Sequence, residues 1–305
     1  MKLFLTGATG FIGGAIARAA VSAGHQVMAL VRSETSAPAA ALFRVGVALH
    51  AGDLRKPQSF SAAAGTAEAV IHAASTNDAS AGAVDEAAAM AMLAALPAGA
   101  AFIYTSGAWV YGDTGGTSAT EASGLNPPLL VAWRPAVERK VLAFAAKREI
   151  AAVVLRPAMV HGDGGGVFGM FAGMARKSGV VQVVGTGRNH WPTVHVDDLA
   201  AAYIAAIERA NDRESGIAGR TFNIVAEEAV PVASIADAIR VATGAHHVEV
   251  VPLENARQAM GPFADAIALD QGMSGQLAQQ SLAWTAKRPG AIADLSSQLR
   301  KSVHQ

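Results

Sequence analysis

The stretch Met1-Lys-Leu-Phe-Leu-Thr6-Gly7-Ala8-Thr9-Gly10-Phe11-Ile12-Gly13-Gly14 runs an apolar strand into three glycines spaced three apart. Each glycine has a mechanical task. Gly7 allows a tight turn, Gly10 lets the backbone approach a pyrophosphate, and Gly13 lets the following helix pack closely on the strand. The N-terminus of that helix offers unpaired N–H groups and its positive dipole end to phosphate. Ile12, Ile16, Ala19, Ala20 and Ala23 fall on one face of the helix, and Gly24 is placed to stop it. Gln26–Val31 then reads as the next strand. The pattern predicts a dinucleotide-binding βαβ unit.

Outward from that unit, strand-like and helix-like segments alternate, as in a Rossmann-type α/β fold with a doubly wound parallel sheet. Strands are expected at residues 47–50, Ala69–His72, Ala101–Thr105 and 151–155, and helices at 59–64, 83–96 and 135–147. Residues 112–128, rich in Gly, Thr, Ser, Asn and Pro, read as a long loop, a length usual for lids and binding loops. The expected division is a dinucleotide-binding domain over 1–165, with 191–227 returning to it. Residues 166–190 and 228–305 then form a smaller α/β substrate domain. There the pattern gives a helix at 167–177, strands at Val180–Val184 and 248–251, a helix at 232–242, and broken helix over 255–280, while a strand at 222–225 returns to the main sheet.

Composition narrows the function. The 305 residues are 51% hydrophobic, enough for a sizeable core. Lys+Arg and Asp+Glu are 24 each, so no electrostatic footprint for nucleic acid or an anionic membrane is present. Cysteine is absent, which excludes disulfides, Cys-ligated zinc, iron–sulfur clusters and a thiol nucleophile. His190 and His195, or adjacent His246 and His247, lack the spacing of helical metal ligands, so no metal site is expected. No Gly-x-Ser-x-Gly elbow and no P-loop occurs. Apolar runs break before the roughly 18 residues of a membrane span. With a core strand at the very start, a cytoplasmic location is the expectation.

Several ordered motifs carry a resemblance. The cofactor-type loop Thr6–Gly13 is followed by Gly52-Asp53-Leu54, His72-Ala73-Ala74, Tyr104-Thr105-Ser106-Gly107 and Val110-Tyr111-Gly112. Arg156-Pro157, Val160-His161-Gly162, His195-Val196-Asp197-Asp198-Leu199-Ala200 and Phe222-Asn223-Ile224 come next. In this order they resemble the extended short-chain dehydrogenase/reductases, which include nucleotide-sugar epimerases and dehydratases and dihydroflavonol-type reductases. The resemblance implies a nicotinamide cofactor held by Gly7, Thr9, Gly10, Phe11 and Ile12. Asp53 and Leu54 would lie at the adenine and Ala73 and Ala74 beneath the cofactor. Thr105, Arg134, Pro157 and His161 would lie around the nicotinamide half. It also implies hydride transfer at a carbonyl/hydroxyl carbon of a small-molecule substrate. Homodimers through two helices of the main domain are common in such proteins, and the alanine-rich helices at 83–96 and 135–147 permit one.

Two readings concern the cofactor side. Strand two ends in Arg32, where an acidic residue would favour NAD by binding the ribose 2′-OH. The guanidinium fork suits a 2′-phosphate, so NADP is favoured; Glu34, two residues on, keeps NAD open. Asp53 either accepts from an adenine amino group or caps its own turn. Farther on, one of Asp197 and Asp198 reads as a helix N-cap.

The chain departs from the family at the chemistry. The family's proton is handled by a Tyr with a Lys four residues later, and no Tyr-x-x-x-Lys exists here. Glu121, Pro127, Pro128 and Glu138 set a register that puts Leu130 at the Tyr position and Arg134 at the Lys position. Arg134 can still hold ribose hydroxyls; Leu130 cannot move a proton. Ser106 or Thr105 is the candidate to hydrogen-bond the substrate carbonyl, and Tyr111 and His161 are candidate proton donors. Arg188 is a candidate for a substrate phosphate. The expected function is an NADP(H)-dependent oxidoreductase. A nucleotide-sugar epimerase or dehydratase and a non-catalytic NAD(P)-binding regulatory protein stand as alternatives.

Overall fold

A computed structural model describes residues 1–302, and the side chains of residues 1–297. Strands in chain order are β1 (Lys2–Thr6), β2 (Gln26–Val31), β3 (Ala48–Ala51), β4 (Ala69–His72), β5 (Ala101–Thr105), β6 (Ser118–Ala119) and β7 (Ala151–Pro157). They continue as β8 (Met159–His161), β9 (Val180–Val184), β10 (His190–His195), β11 (Thr221–Ile224), β12 (Glu227–Pro231), β13 (His247–Val251) and β14 (Gly272–Met273). The helices are α1 (Phe11–Ser22), α2 (Ala37–Arg44), α3 (Ser61–Ala64), α4 (Ala81–Ala95), α5 (Arg134–Lys147) and α6 (Gly166–Ser178). After them come α7 (Val196–Asn211), α8 (Val232–Thr243), α9 (Leu253–Met260), α10 (Phe263–Ile267), α11 (Gln276–Leu282) and α12 (Ala291–Ser302).

Seven strands form one sheet in the order β11-β7-β5-β4-β1-β2-β3, with every neighbouring pair parallel. A parallel sheet must be covered on both faces, and the alternation along β1 shows how. Phe4 faces a layer with Phe60, Met92, Leu93 and Phe102. Leu3 and Leu5 face the opposite layer with Ile16, Tyr203 and Phe222. Chain order reverses between β1 and β4, so the crevice for a ligand opens there, beyond the carboxyl ends of the strands.

Two glycines shape the first turn. Gly7 has φ +81°, and a Cβ on it would lie 2.6 Å from the Ala73 carbonyl oxygen. A Cβ on Gly13 would lie 2.1 Å from the Gly7 carbonyl oxygen, so α1 rests directly on the turn that precedes it.

A second core gathers Phe168, Phe171, Trp191, Ile235 and Ile239 between α6, α8 and two small sheets. One of these sheets pairs β13 with β9, and the other has the order β12-β10-β8. Residues 112–128 are not a free lid. β6 pairs with β14, and the Gln271 amide donates to the Gly112 carbonyl at 2.8 Å, fastening the start and the middle of the segment to the C-terminal part. The expected N-cap at Asp197 or Asp198 is instead His195, whose Nδ1 accepts from the Asp197 N–H at 3.1 Å. Asp198 turns its carboxylate to the Lys287 and Arg288 amides, both at 2.9 Å. Among the described residues no helix is long and apolar enough to cross a membrane.

Gly13→Ala should destabilise the protein by about 1–3 kcal/mol, the usual cost of overpacking a tight contact, read from urea unfolding. An unchanged midpoint would show that α1 can back away from β1 freely.

Candidate active site

A cleft of about 1000 Å³ opens at the switch point, beside the glycine turn. Phe11 and Ile12 of α1 form one edge, the Ser75–Gly82 segment after β4 a second, and Thr105–Val110 after β5 the floor. Leu129, Leu130, Trp133 and Arg134 close it from the start of α5. Pro157–Val160, the start of α6, and Met260, Pro262 and Phe263 form the far wall. Arg134 and Asp78 are the charged side chains among these lining residues. Trp109, which sequence reasoning passed over, stands edge-on to Phe263 with ring centroids 5.9 Å apart.

The cofactor side fits a dinucleotide. Gly10 caps α1 with no side-chain acceptor, and the first turn carries no acidic residue, so its N–H groups are left for an anion. Thr9 and Gly10 are exposed at that point, and Ala73 and Ala74 are half-buried below it. Thr6 Oγ1 lies 3.2 Å and 3.3 Å from the amides of Ala73 and Ala74, which donate to it, and 2.7 Å from His72 Nδ1. His72 Nε2 is 3.3 Å from Asp85, which also takes the Tyr104 hydroxyl. A buried polar chain therefore pins the turns after β1 and β4 to each other. Burial and the Asp85 carboxylate push the Tyr104 phenol well above its ordinary pKa, so it serves this chain as a donor. Arg32 is exposed at the end of β2. Asp53 uses one carboxylate oxygen to accept from the Arg55 amide at 2.9 Å, the turn-capping role, and Leu54 follows it half-buried.

Around the expected chemistry, Thr105, Ser106, Leu130, Arg134 and Pro157 all line the cleft. Arg134 donates from Nη1 to the Thr105 carbonyl at 2.9 Å and lies over the Trp133 ring, 4.6 Å from its centroid. Ser106 Oγ is buried with no hydrogen-bond partner among the described residues.

Two expected proton donors are not in the cleft. Tyr111 is 3% exposed, donates to Asn223 Oδ1 at 2.7 Å and accepts from Arg156 Nη1 at 2.8 Å. Arg156 in turn forks onto buried Glu138, with Nε at 3.1 Å from Oε1. Burial raises the Tyr111 pKa and its hydroxyl is already committed, so the residue is structural. His161 points the opposite way from the cleft wall formed by its neighbours. Its Nδ1 lies 3.3 Å from Asp294 on α12, and its ring meets that of His195 at 5.2 Å. Arg188 is exposed on the loop between β9 and β10, outside the cleft lining.

His161, His195 and Asp294 form a cluster that pairwise spacing in the sequence did not reveal, with ligating atoms within 4.8 Å of one another. The hydrogen bonds argue against a cation there. His195 Nδ1 already accepts a backbone N–H, so its neutral ring carries the proton on Nε2, 4.0 Å from Asp294. Metal binding through Nε2 would require an imidazolate. The cluster is a carboxylate–histidine tie between α12 and the ends of β8 and β10.

Glu138→Ala strands the buried Arg156 guanidinium and should cost about 3–5 kcal/mol in chemical denaturation. Tyr111→Phe removes one hydrogen-bonding hydroxyl and should cost about 1 kcal/mol. Equal losses from the two variants would contradict this ranking.

The comparisons with known proteins agree with this architecture. An uncharacterised protein of Schizosaccharomyces pombe is 31% identical over 302 residues, covering 97% of this chain and 99% of that protein. A 2-alkyl-3-oxoalkanoate reductase of Stenotrophomonas maltophilia is 29% identical over 267 residues, covering 82% of this chain and 78% of that protein. Among solved structures, UDP-glucose 4-epimerase of Thermotoga maritima, in complex with UDP-glucose, superposes with a TM-score of 0.80 at 18% identity. That match covers 99% of this chain and 100% of the other, and at such identity it speaks for the fold. The family model described as the NAD dependent epimerase/dehydratase family matches residues 3–224, and the chain belongs to that family.

Proposed function

We propose that this protein is an NADP(H)-dependent oxidoreductase that reduces or oxidises a carbonyl/hydroxyl carbon on a predominantly apolar small molecule. The observation that carries this reading is the character of the cleft. Its walls are Trp109, Trp133, Leu129, Leu130, Met260 and Phe263, with Arg134 as its one lining cation among the described residues. A sugar nucleotide brings a diphosphate that calls for several charge-assisted donors. An alkyl or aromatic ketone asks for apolar contact and a single polar anchor. The relative named as a 2-alkyl-3-oxoalkanoate reductase supports a substrate of the second kind.

On this reading the Gly7–Ile12 loop holds the pyrophosphate, and Asp53 and Leu54 flank the adenine. Ala73, Ala74, Thr105, Arg134 and Pro157 surround the nicotinamide half. Arg32, exposed and in no ion pair among the described residues, receives the 2′-phosphate. The bound cofactor supplies or accepts hydride; the residues supply position, polarisation and exclusion of water. Arg134 fixes the Thr105 backbone and adds positive charge where the family's Lys would stand. The apolar walls strip water from the ligand and strengthen every polar contact inside. Residues 166–190 and 228–302 form the substrate side, with α9 and α10 contributing Met260 and Phe263.

Fluorescence titration should give tighter binding of NADPH than NADH. Arg32→Glu should weaken NADPH by tenfold or more and leave NADH within a few-fold. Equal affinity of the wild type for both would overturn the NADP assignment. With the cofactor in hand, a panel of alkyl and aryl ketones should consume NADPH at 340 nm. Turnover of a nucleotide sugar without added cofactor would favour the epimerase reading instead. Tight cofactor binding with no turnover on either panel would favour a regulatory protein.

A further inference from the structure

The chain has three tyrosines; none lines the cleft, and only one bonds to a side chain that does. Tyr104 spends its hydroxyl on Asp85, and Tyr111 spends its own between Asn223 and Arg156. Tyr203, on α7 and 98 residues beyond Thr105, places its Oη 2.7 Å from Thr105 Oγ1. The ring is fully buried, and its hydroxyl meets no second partner among the described residues. Either hydroxyl can donate in this pair; with Tyr203 as donor, Thr105 Oγ1 accepts one hydrogen and keeps its own O–H to give elsewhere.

Thr105 is half-buried on the cleft floor and is held from two further directions. β5 fixes its backbone, and Arg134, backed by the Trp133 ring, donates to its carbonyl. Ser106, the neighbouring candidate, has its Oγ sealed from solvent and from any partner among the described residues. The hydroxyl prepared to act is therefore that of Thr105.

We propose that Tyr203 is a positioning residue for the carbonyl chemistry, committing the Thr105 hydroxyl as hydrogen-bond donor to the substrate oxygen. The inference rests on the oxidoreductase reading above and deepens it. A bound nicotinamide cofactor would supply hydride to the substrate carbon, and the charge developing on the substrate oxygen would be met by the Thr105 O–H. The oxygen would take that proton, and a water at the cleft mouth would return one to Thr105 Oγ1 and leave as hydroxide. Tyr203 neither loses nor gains a proton. Burial holds its phenol above the ordinary pKa, so a buried phenolate is the costlier state, although Thr105 and the Arg134 charge act against that shift.

The test compares wild type, Tyr203→Phe, Thr105→Ser and Thr105→Val, all as the full chain. NADPH affinity by fluorescence should be unchanged in Tyr203→Phe, and kcat on an aryl ketone should fall about tenfold with KM little changed, the equivalent of one hydrogen bond. Thr105→Ser should retain most activity and Thr105→Val should lose more than Tyr203→Phe. Adding Tyr203→Phe to Thr105→Val should cost nothing further. A second readout needs no turnover. The infrared carbonyl stretch of a ¹³C-labelled ketone, bound with oxidised cofactor, should move toward its free value in Tyr203→Phe. Turnover and a stretch both indifferent to Tyr203→Phe would overturn this proposal and leave the oxidoreductase standing. Wild type that binds NADPH yet neither binds nor reduces any ketone would overturn both.

Discussion

The contact on which the rest of the site depends is that between α1 and the turn before it, where Gly13 sits against the Gly7 carbonyl at a distance no side chain tolerates. Because the helix starts that close, its first-turn N–H groups face the crevice rather than solvent, with no acidic side chain and no cap to compete for them. Gly7 also has no room for a Cβ, which would lie 2.6 Å from the Ala73 carbonyl oxygen. The turns after β1 and β4 are thereby locked together, and the buried Thr6–His72–Asp85–Tyr104 chain repeats the tie in polar groups. The dinucleotide end of the cleft is rigid by construction.

The other end is built differently. Apolar side chains from the segment just before α5 and from α6, α9 and α10 supply much of its walls. The strongest charges nearby are spent below the surface. Arg156, Glu138, Tyr111 and Asn223 satisfy one another, and the Asn223 amide also donates to Glu121 at 2.8 Å. Such a network stiffens β7 and β11 under the cleft without lending it charge. What remains available to a ligand is Thr105, Arg134 and the small set of groups after β4.

Much of this was legible in the chain itself. The glycine spacing and the alternation of strand and helix located the parallel sheet, its switch point and the cofactor turn, because those signals are local. That the chain holds no Tyr-x-x-x-Lys was also readable, since it is a property of the sequence alone. Tertiary partners were not. Tyr111 offered a plausible phenol until its hydroxyl proved to be taken by Arg156 and Asn223, the latter 112 residues away. His161 looked like a cofactor neighbour, but α12 brings Asp294 against it from 133 residues away. The His195 cap and the Tyr203–Thr105 bond were missed for the same reason. Periodicity names the face of a helix and says nothing of which distant side chain it meets. The alanine-rich α4 shows a milder version, its ends displaced because alanine is at home inside a helix and beyond it.

The proposed function requires hydride transfer to an apolar carbonyl compound in a cleft that lacks the Tyr-Lys pair. The most direct measurement uses NADPH deuterated at nicotinamide C4 with an aryl ketone, followed by mass spectrometry of the alcohol. The account predicts one deuterium on the carbinol carbon when the C4 face used carries the label, and none with the opposite face labelled. Deuterium absent from product with either label, while a nucleotide sugar is converted by the same protein, would contradict it.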